Sequence, residues 1–323
     1  MSDVWGADTW DPPADAREVA RLGELLDAAP GAPEVKRAHP LAPWTTLKVG
    51  GAAALLVEPA EHDELAIVLR ALAATDLGAV PMLVIGRGSN LLVSDEGFPG
   101  LVVRLGAGFG AIVRDGLHVT AGGAASMPVL ATFTASEGLT GLEFAAGVPA
   151  TVGGSVRMNA GAHGGEVGEH LVSVQLATAD GVHDVARAAL GLSYRHSELP
   201  ARSVVTAATW LLAADAADAV RARLDDVRMW RRATQPIGER TCGSVFTNPD
   251  GDSAGRLVEA AGLKGFRIGG AQVSTMHANF IETDSGARAS DVVAVIRAAQ
   301  AAVHDGGGPL LTPEVRVVGH FPL

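Results

Sequence analysis

An apolar run, Pro81-Met82-Leu83-Val84-Ile85, breaks at Gly86-Arg87-Gly88-Ser89-Asn90 and resumes at Leu91-Leu92-Val93. This interruption constrains the fold more than any other stretch. Short apolar runs bounded by turn residues predict two strands joined by a tight connection. Two glycines around one residue let the backbone adopt positive φ or approach another chain closely. Consecutive N–H groups in such a turn can converge into a nest for an anion, and Ser89 and Asn90 add side-chain donors. A strand–nest–strand unit of this kind suits a pyrophosphate, and so a dinucleotide. The same turn also serves as a plain connection, and these five residues alone do not decide between the two. The third glycine of a Rossmann fingerprint is absent and no helix pattern follows; no Gly-Lys-Ser/Thr closes a P-loop.

The chain has 323 residues, 48% of them hydrophobic and 19% charged, which predicts a globular protein of two or three domains. Its net charge of −11 argues against a partner held by phosphate neutralisation, such as a nucleic acid. Eight acids against Arg17 and Arg21 place −6 of that charge in residues 1–35, which end in Pro30-Gly31-Ala32-Pro33 and read as an acidic extension. The single cysteine, Cys242, excludes a disulfide framework and a cysteine-based metal site. Histidine spacings of the His-x-x-x-His kind are missing, so no metal is expected. Apolar stretches break well short of the roughly 20 residues of a membrane span, and the N-terminus lacks a basic-then-apolar leader. These features predict a cytoplasmic protein, a monomer or weak oligomer.

Along the chain, residues 36–105 alternate strand and helix: Ala54–Val57, Glu61–Ala74, Met82–Ile85, Leu91–Val93 and Leu101–Arg104. Residues 106–214 read mostly as strands, with a helix near Met127–Glu137 and a hairpin turn at Ala179-Asp180-Gly181. The glycine-dense stretch from Gly147 to Gly154 reads as an ordered loop. Residues 215–323 carry helices at Asp218–Arg232, Ala254–Ala261 and Ala289–His304, then a strand from Thr312 to Val318. The whole is an α+β arrangement.

Polar residues in apolar or glycine-rich company mark possible chemistry. Arg195, after Tyr194, the only tyrosine, can hold a carboxylate in a bidentate fork; a surface ion pair is the plainer reading. Ser244 lies in Cys242-Gly243-Ser244-Val245-Phe246 without a Gly-x-Ser-x-Gly elbow, so a hydrolase nucleophile is disfavoured and a turn serine is the default. Glu314 follows Pro313 at the start of the last strand. Arg231, Arg232, Gln235 and His277 form a looser group that would suit an anion, although arginines at a helix C-terminus also complement its dipole.

From Trp44 to Gly319 the order of these blocks resembles the UDP-N-acetylenolpyruvoylglucosamine reductase family. The blocks are Thr45 through Gly51, Gly86–Asn90, Gly147 through Ala162, Ser193 through Ser197, Gly243 through Pro249, Gly262 through Phe280, and Pro313 through Arg316. The resemblance implies a vanillyl-alcohol-oxidase-type FAD-binding fold in two subdomains, 36–105 and 106–214. It also implies a C-terminal α+β substrate-binding domain, 215–323, whose 312–323 strand packs back near the flavin site. It implies non-covalent FAD, NADPH as co-substrate, and reduction of the enolpyruvyl ether of UDP-N-acetylglucosamine to UDP-N-acetylmuramate for peptidoglycan. Hydride would reach the enolpyruvyl β-carbon from flavin N5. Arg195 would polarise the carboxylate, Ser244 donate the proton, and Glu314 act as an acid beside the carboxylate.

Cofactor contacts are implied for Gly50, Gly86, Arg87, Gly88, Ser89, Asn90, Gly147, Val148, Pro149, Gly153, Gly154, Met158 and Ala160. Substrate contacts are implied for Asn159, Tyr194, Arg231, Gln235, Asn248 and His277. Ala150 stands where the family usually has glycine, and the lone tyrosine points to the subclass lacking a tyrosine-bearing substrate loop. Two rival readings are an oxidase on the same fold, its flavin attached through a histidine such as His163, and a flavin-binding module without turnover.

Overall fold

A computed structural model describes residues 9–10, 14–76 and 78–321. In its first layer three strands run parallel in the order Ala52–Val57, Phe98–Val103, Met82–Val84, and Lys36–Pro40 pairs antiparallel with the outer edge of Ala52–Val57. Leu55, Leu56 and Val57, like Leu101, Val102 and Val103, are buried in succession, as expected for parallel strands covered on both faces. The helix His62–Ala73 covers one face with Leu65, Val68, Leu69 and Leu72.

Within the acidic extension, the helix-like stretch from Arg17 to Ala28 is ordered as the helix Ala16–Ala28. Its N-cap, Asp15, accepts a hydrogen bond from Arg17 N at 2.8 Å. Val19, Leu22 and Leu26 are buried in the core of this layer. Leu22 is 0% exposed, so Leu22→Ala is expected to cost about 2–5 kcal/mol through lost burial and a residual cavity. An unchanged denaturation midpoint would show that this helix is not part of the folded unit.

The second layer is a five-stranded antiparallel sheet in the order Gly181–Ala186, Leu171–Thr178, Val204–Leu211, His118–Gly122, Ile112–Asp115. Thr178 pairs with Gly181 across the expected hairpin turn. Trp210 lies fully buried beneath it, its indole N–H donating to Val167 O at 3.1 Å. The helix Ala217–Thr234 packs its Val220, Leu224 and Val227 into this same core, beside the helix Met127–Ser136. A boundary at residue 215 would group that helix with the C-terminal unit; its apolar stripe places it here, because that is the surface it covers.

The C-terminal unit is a meander, Arg267–Ile268, Ala271–Val273, Ile281–Thr283, covered by helices Ala254–Ala260 and Ala289–Asp305. The final strand is shorter than expected. Thr312 O accepts from Thr247 N at 2.9 Å and Glu314 N donates to Val245 O at 2.7 Å; only Arg316–Val318 then pairs, parallel, with Leu91–Val93. The segment changes partner at Glu314 and Val315, so a single continuous strand is impossible. That switch joins the C-terminal unit to the glycine turn.

Candidate active site

The three units meet around a cavity of about 1320 Å³. Its floor includes the Gly86–Asn90 turn, which sits where the parallel strand Met82–Val84 ends. The glycines there are required by close approach. A Cβ on Gly86 would lie 2.3 Å from Thr151 Oγ1, and one on Gly88, at φ +60°, would lie 2.4 Å from Trp44 O.

The second cavity wall corrects the loop expected at Gly147–Gly154. A 3-10 turn, Glu143–Gly147, leads through Pro149 to a helix, Val152–Arg157, capped by Thr151, whose Oγ1 accepts from Gly154 N at 3.4 Å. Gly153 and Gly154 are poor helix formers, which hid this helix. Tertiary contact overrides that propensity: a Cβ on Gly153 would meet Val205 O at 3.1 Å and Gly123 O at 3.2 Å, so any larger residue would push against both carbonyls.

Arg195, Ser244 and Glu314, far apart in sequence, line this one cavity. Arg195 Nε donates to Glu314 Oε1 at 3.0 Å and its Nη2 to Gly161 O at 2.8 Å. Asn90 Nδ2 donates to Glu314 O at 2.9 Å, tying the glycine turn to the same acid. Burial raises the Glu314 carboxyl above its ordinary range; the charge and hydrogen bond of Arg195 oppose this without overcoming it. Cys242, beside Gly243 and Ser244, is fully buried and its thiol is pushed up to about 12, which leaves it inert.

Gly86, Arg87, Gly88, Ser89, Asn90, Gly147, Val148, Pro149, Gly153, Gly154, Met158 and Ala160 all line the cavity, as do Arg231, Gln235, Asn248 and His277. Three expected contacts lie elsewhere. Gly50, at φ +110°, lies against Val93 instead, where a Cβ would fall 2.8 Å from Val93 O. Asn159 is 0% exposed and spans Ser193 O and Gly168 N, both at 2.9 Å, which holds the Tyr194–Arg195 loop. Tyr194 is half-exposed outside the cavity, where the Arg195 guanidinium lies 4.8 Å above its ring.

The cavity walls carry seven arginines against three glutamates, in a chain whose overall charge is −11. Two arginine couples have no ion pair among the described residues. Burial, then the charge of Arg316, lowers Arg157 to about 10. Burial, then Arg87, lowers Arg231, whose Nε donates to Gln235 Oε1 at 3.0 Å. Like charges held together out of water call for an anion between them. Arg157 and Arg316 lie within the blocks Gly147 through Ala162 and Pro313 through Arg316, but only their convergence on the cavity marks them as site residues. Burial also lowers His277, whose Nδ1 accepts from Asn279 N at 3.2 Å, favouring the neutral ring.

The Gly86–Asn90 turn, four lining arginines (Arg87, Arg157, Arg231 and Arg316) without an ion pair among the described residues, and an apolar strip through Val84, Ile85 and Leu105 suit a dinucleotide. A volume near 1320 Å³ exceeds the roughly 300–1,000 Å³ of an ordinary ligand pocket and leaves room for a second molecule. No helix among the described residues is long and apolar enough to cross a membrane, and no cluster of them could hold a metal ion.

A family model described as an FAD binding domain matches residues 53–185, and one described as UDP-N-acetylenolpyruvoylglucosamine reductase, C-terminal domain, matches residues 235–318. A UDP-N-acetylenolpyruvoylglucosamine reductase of Anaeromyxobacter sp. (strain Fw109-5) is 47% identical over 289 residues, covering 89% of this chain and 90% of the relative. That of Myxococcus xanthus is 43% identical over 295 residues, covering 90% and 94%. The crystal structure of UDP-N-acetylenolpyruvylglucosamine reductase from Thermus caldophilus superposes with a TM-score of 0.77 at 37% identity, over 88% of this chain and 99% of that one. The expected FAD-binding fold with a C-terminal α+β domain is therefore the fold adopted. This chain is an FAD-dependent oxidoreductase and belongs to the UDP-N-acetylenolpyruvoylglucosamine reductase family.

Proposed function

We propose that the protein reduces the enolpyruvyl ether of UDP-N-acetylglucosamine to the lactyl ether of UDP-N-acetylmuramate at the expense of NADPH, a cytoplasmic step toward peptidoglycan. The observation that carries this reading is the convergence of Arg195, Ser244 and Glu314, from three separate segments, on one arginine-lined cavity with room for two ligands. In a reductase family, that set matches a substrate carrying a carboxylate and needing a proton.

The Gly86–Asn90 turn and the Thr151–Gly154 helix start would hold the FAD pyrophosphate, and Gly147, Val148, Pro149, Met158 and Ala160 would approach the ring. Bound there, FAD supplies two-electron hydride chemistry between NADPH and the substrate. The protein's own groups govern charge and protons. As the enolpyruvyl β-carbon gains hydride, negative charge moves onto the carboxylate. Arg195, held at two points by Glu314 and Gly161 O, offers fixed positive charge where that charge develops and needs no reorganisation. Glu314, whose raised pKa favours the protonated form, donates a hydrogen bond to the same oxygens. Ser244 Oγ delivers the proton to the α-carbon, completing the lactyl ether. Arg231, Gln235, Asn248 and His277 hold the sugar nucleotide.

The test is spectroscopic. The purified protein should be yellow, bleach with NADPH and regain its colour anaerobically only with the enolpyruvyl sugar nucleotide. Recovery with oxygen alone, or flavin that stays with the heat-precipitated chain, would favour a covalent-flavin oxidase. Gly86→Ala tests the cradle. Its Cβ would fall 2.3 Å from Thr151 Oγ1, so the turn and the helix start must separate. Purified Gly86→Ala is expected to contain less than about a tenth of the wild-type flavin, as judged by visible absorbance per chain, because an overpacked site costs roughly 1–3 kcal/mol. Full occupancy would place the pyrophosphate elsewhere.

A further inference from the structure

We propose that Trp230 and His163 form the subsite for the heterocyclic base of an incoming nucleotide, with Arg231 and Arg87 taking its phosphate. This rests on the reading above that the cavity admits a nucleotide beside the flavin. Trp230 is 41% exposed, an unusual place for a tryptophan, and it lies on the cavity rim with Ile237 at 51% and Met276 at 45%. Its ring centroid stands 5.2 Å from that of His163, with the planes tilted by 52°. The rest of the solvent-facing indole is available to a planar partner.

The surroundings say what kind of partner. Trp230 occupies the last turn of the helix Ala217–Thr234, immediately before Arg231, which enters the cavity half-buried and feels the charge of Arg87. Neither arginine has an ion pair among the described residues. An anion held between them carries its attached group outward to the rim, where the apolar surface is aromatic. A phosphate joined to a flat ring matches both features; a simple sugar or peptide matches only one.

His163 is fixed for this task. It sits at φ +49° in the turn of a two-stranded hairpin, Gly161–Ala162 against Gly165–Glu166. The hairpin is wedged on Phe144, since a Cβ on Gly165 would lie 2.7 Å from that ring, and its Gly161 O accepts from Arg195. The base subsite and the carboxylate-holding arginine thus share one short hairpin. Base stacking at one end and carboxylate binding at the other would measure the substrate's length.

Two sources carry this chemistry, NADPH and the uridine nucleotide, and the two half-reactions separate them. Flavin reduction by NADPH and reoxidation by the enolpyruvyl sugar nucleotide are followed by stopped-flow absorbance in Trp230→Ala, Trp230→Phe and His163→Ala. Trp230→Ala is expected to raise the apparent Kd of at least one nucleotide about tenfold, the scale of a single base–aromatic stack, with the limiting rate unchanged. Trp230→Phe, which keeps a ring, should remain near wild type, and His163→Ala should weaken the same arm less. A loss confined to the NADPH arm assigns the subsite to the pyridine nucleotide. A loss in the sugar-nucleotide arm, with UDP weakened equally as a competitor of flavin reduction, assigns it to uracil. Unchanged constants in both arms overturn the proposal, and if Trp230→Ala loses flavin, the His163→Ala constants decide it. Should wild-type flavin fail to reoxidise with the sugar nucleotide, the functional reading falls, and the NADPH and UDP measurements still judge the subsite.

Discussion

Replacing Ser244 with alanine is expected to slow reoxidation of reduced flavin by the enolpyruvyl sugar nucleotide by about 10²–10⁴-fold, the usual worth of a positioned proton donor. Flavin reduction by NADPH should stay close to wild type, because that step needs no proton at the substrate α-carbon. The structure makes the substitution a clean one. Ser244 is only partly buried, follows Gly243 at φ +77°, and precedes Val245, whose N–H donates to Asn279 O at 2.9 Å and whose O accepts from Glu314 N at 2.7 Å. Those backbone bonds hold the turn whatever the side chain at 244, so loss of the hydroxyl leaves the scaffold in place. Stopped-flow traces of the two half-reactions provide the measurement. An equal loss in both would show that Ser244 serves the site's shape rather than its chemistry.

Glu314→Gln is expected to have the next largest effect, about 10²-fold or more on the same oxidative half-reaction. Its pH dependence is the sharper readout. Burial raises the folded-state pKa of Glu314, with Arg195 opposing. The protonated, active form therefore persists above the ordinary carboxylate range and is lost as pH rises through the raised value. The wild-type oxidative half-reaction should decline on that alkaline limb. Glutamine is a weaker donor than a carboxylic acid and cannot titrate, so the slower rate of Glu314→Gln should be flat there. A limb that survives the substitution would assign the titration to another group, and an unchanged rate would remove Glu314 from the mechanism.

The same residues show how far a sequence carries. The Gly86–Asn90 turn was visible because its glycines punctuate two apolar runs, a purely local signal. Helices at His62–Ala73 and Ala289–Asp305 were equally visible, since an amphipathic stripe repeats every few residues. The helix Val152–Arg157 was hidden because its Gly153-Gly154 pair contradicts helix propensity. Its Gly153 suits the close approach of Val205 O and Gly123 O, which a Cβ would meet at 3.1 and 3.2 Å. The terminal strand was overextended for a related reason: alternation continues past Glu314, but the pairing partner changes there from residues 245–247 to residues 91–93.

Arg195, Ser244 and Glu314 were legible as polar residues in resembling blocks, and the structure places all three on one cavity, as it does Arg231, Gln235, Asn248 and His277. Tyr194 and Asn159, adjacent in those blocks, lie outside it: one backs the Arg195 guanidinium and the other holds its loop. Arg157 and Arg316 lie inside resembling blocks, but nothing local marks either as a cavity residue. The sequence by itself determined where backbone turns, which faces are apolar and which residue types are present, because those properties follow from neighbours a few positions away. Tertiary structure alone decided which arginines share a cavity, which acid is buried enough for its pKa to rise, and where the last strand changes partner. Charge coupling and desolvation depend on distance in space, and residues 195 and 314, 119 positions apart, become neighbours only when the chain closes.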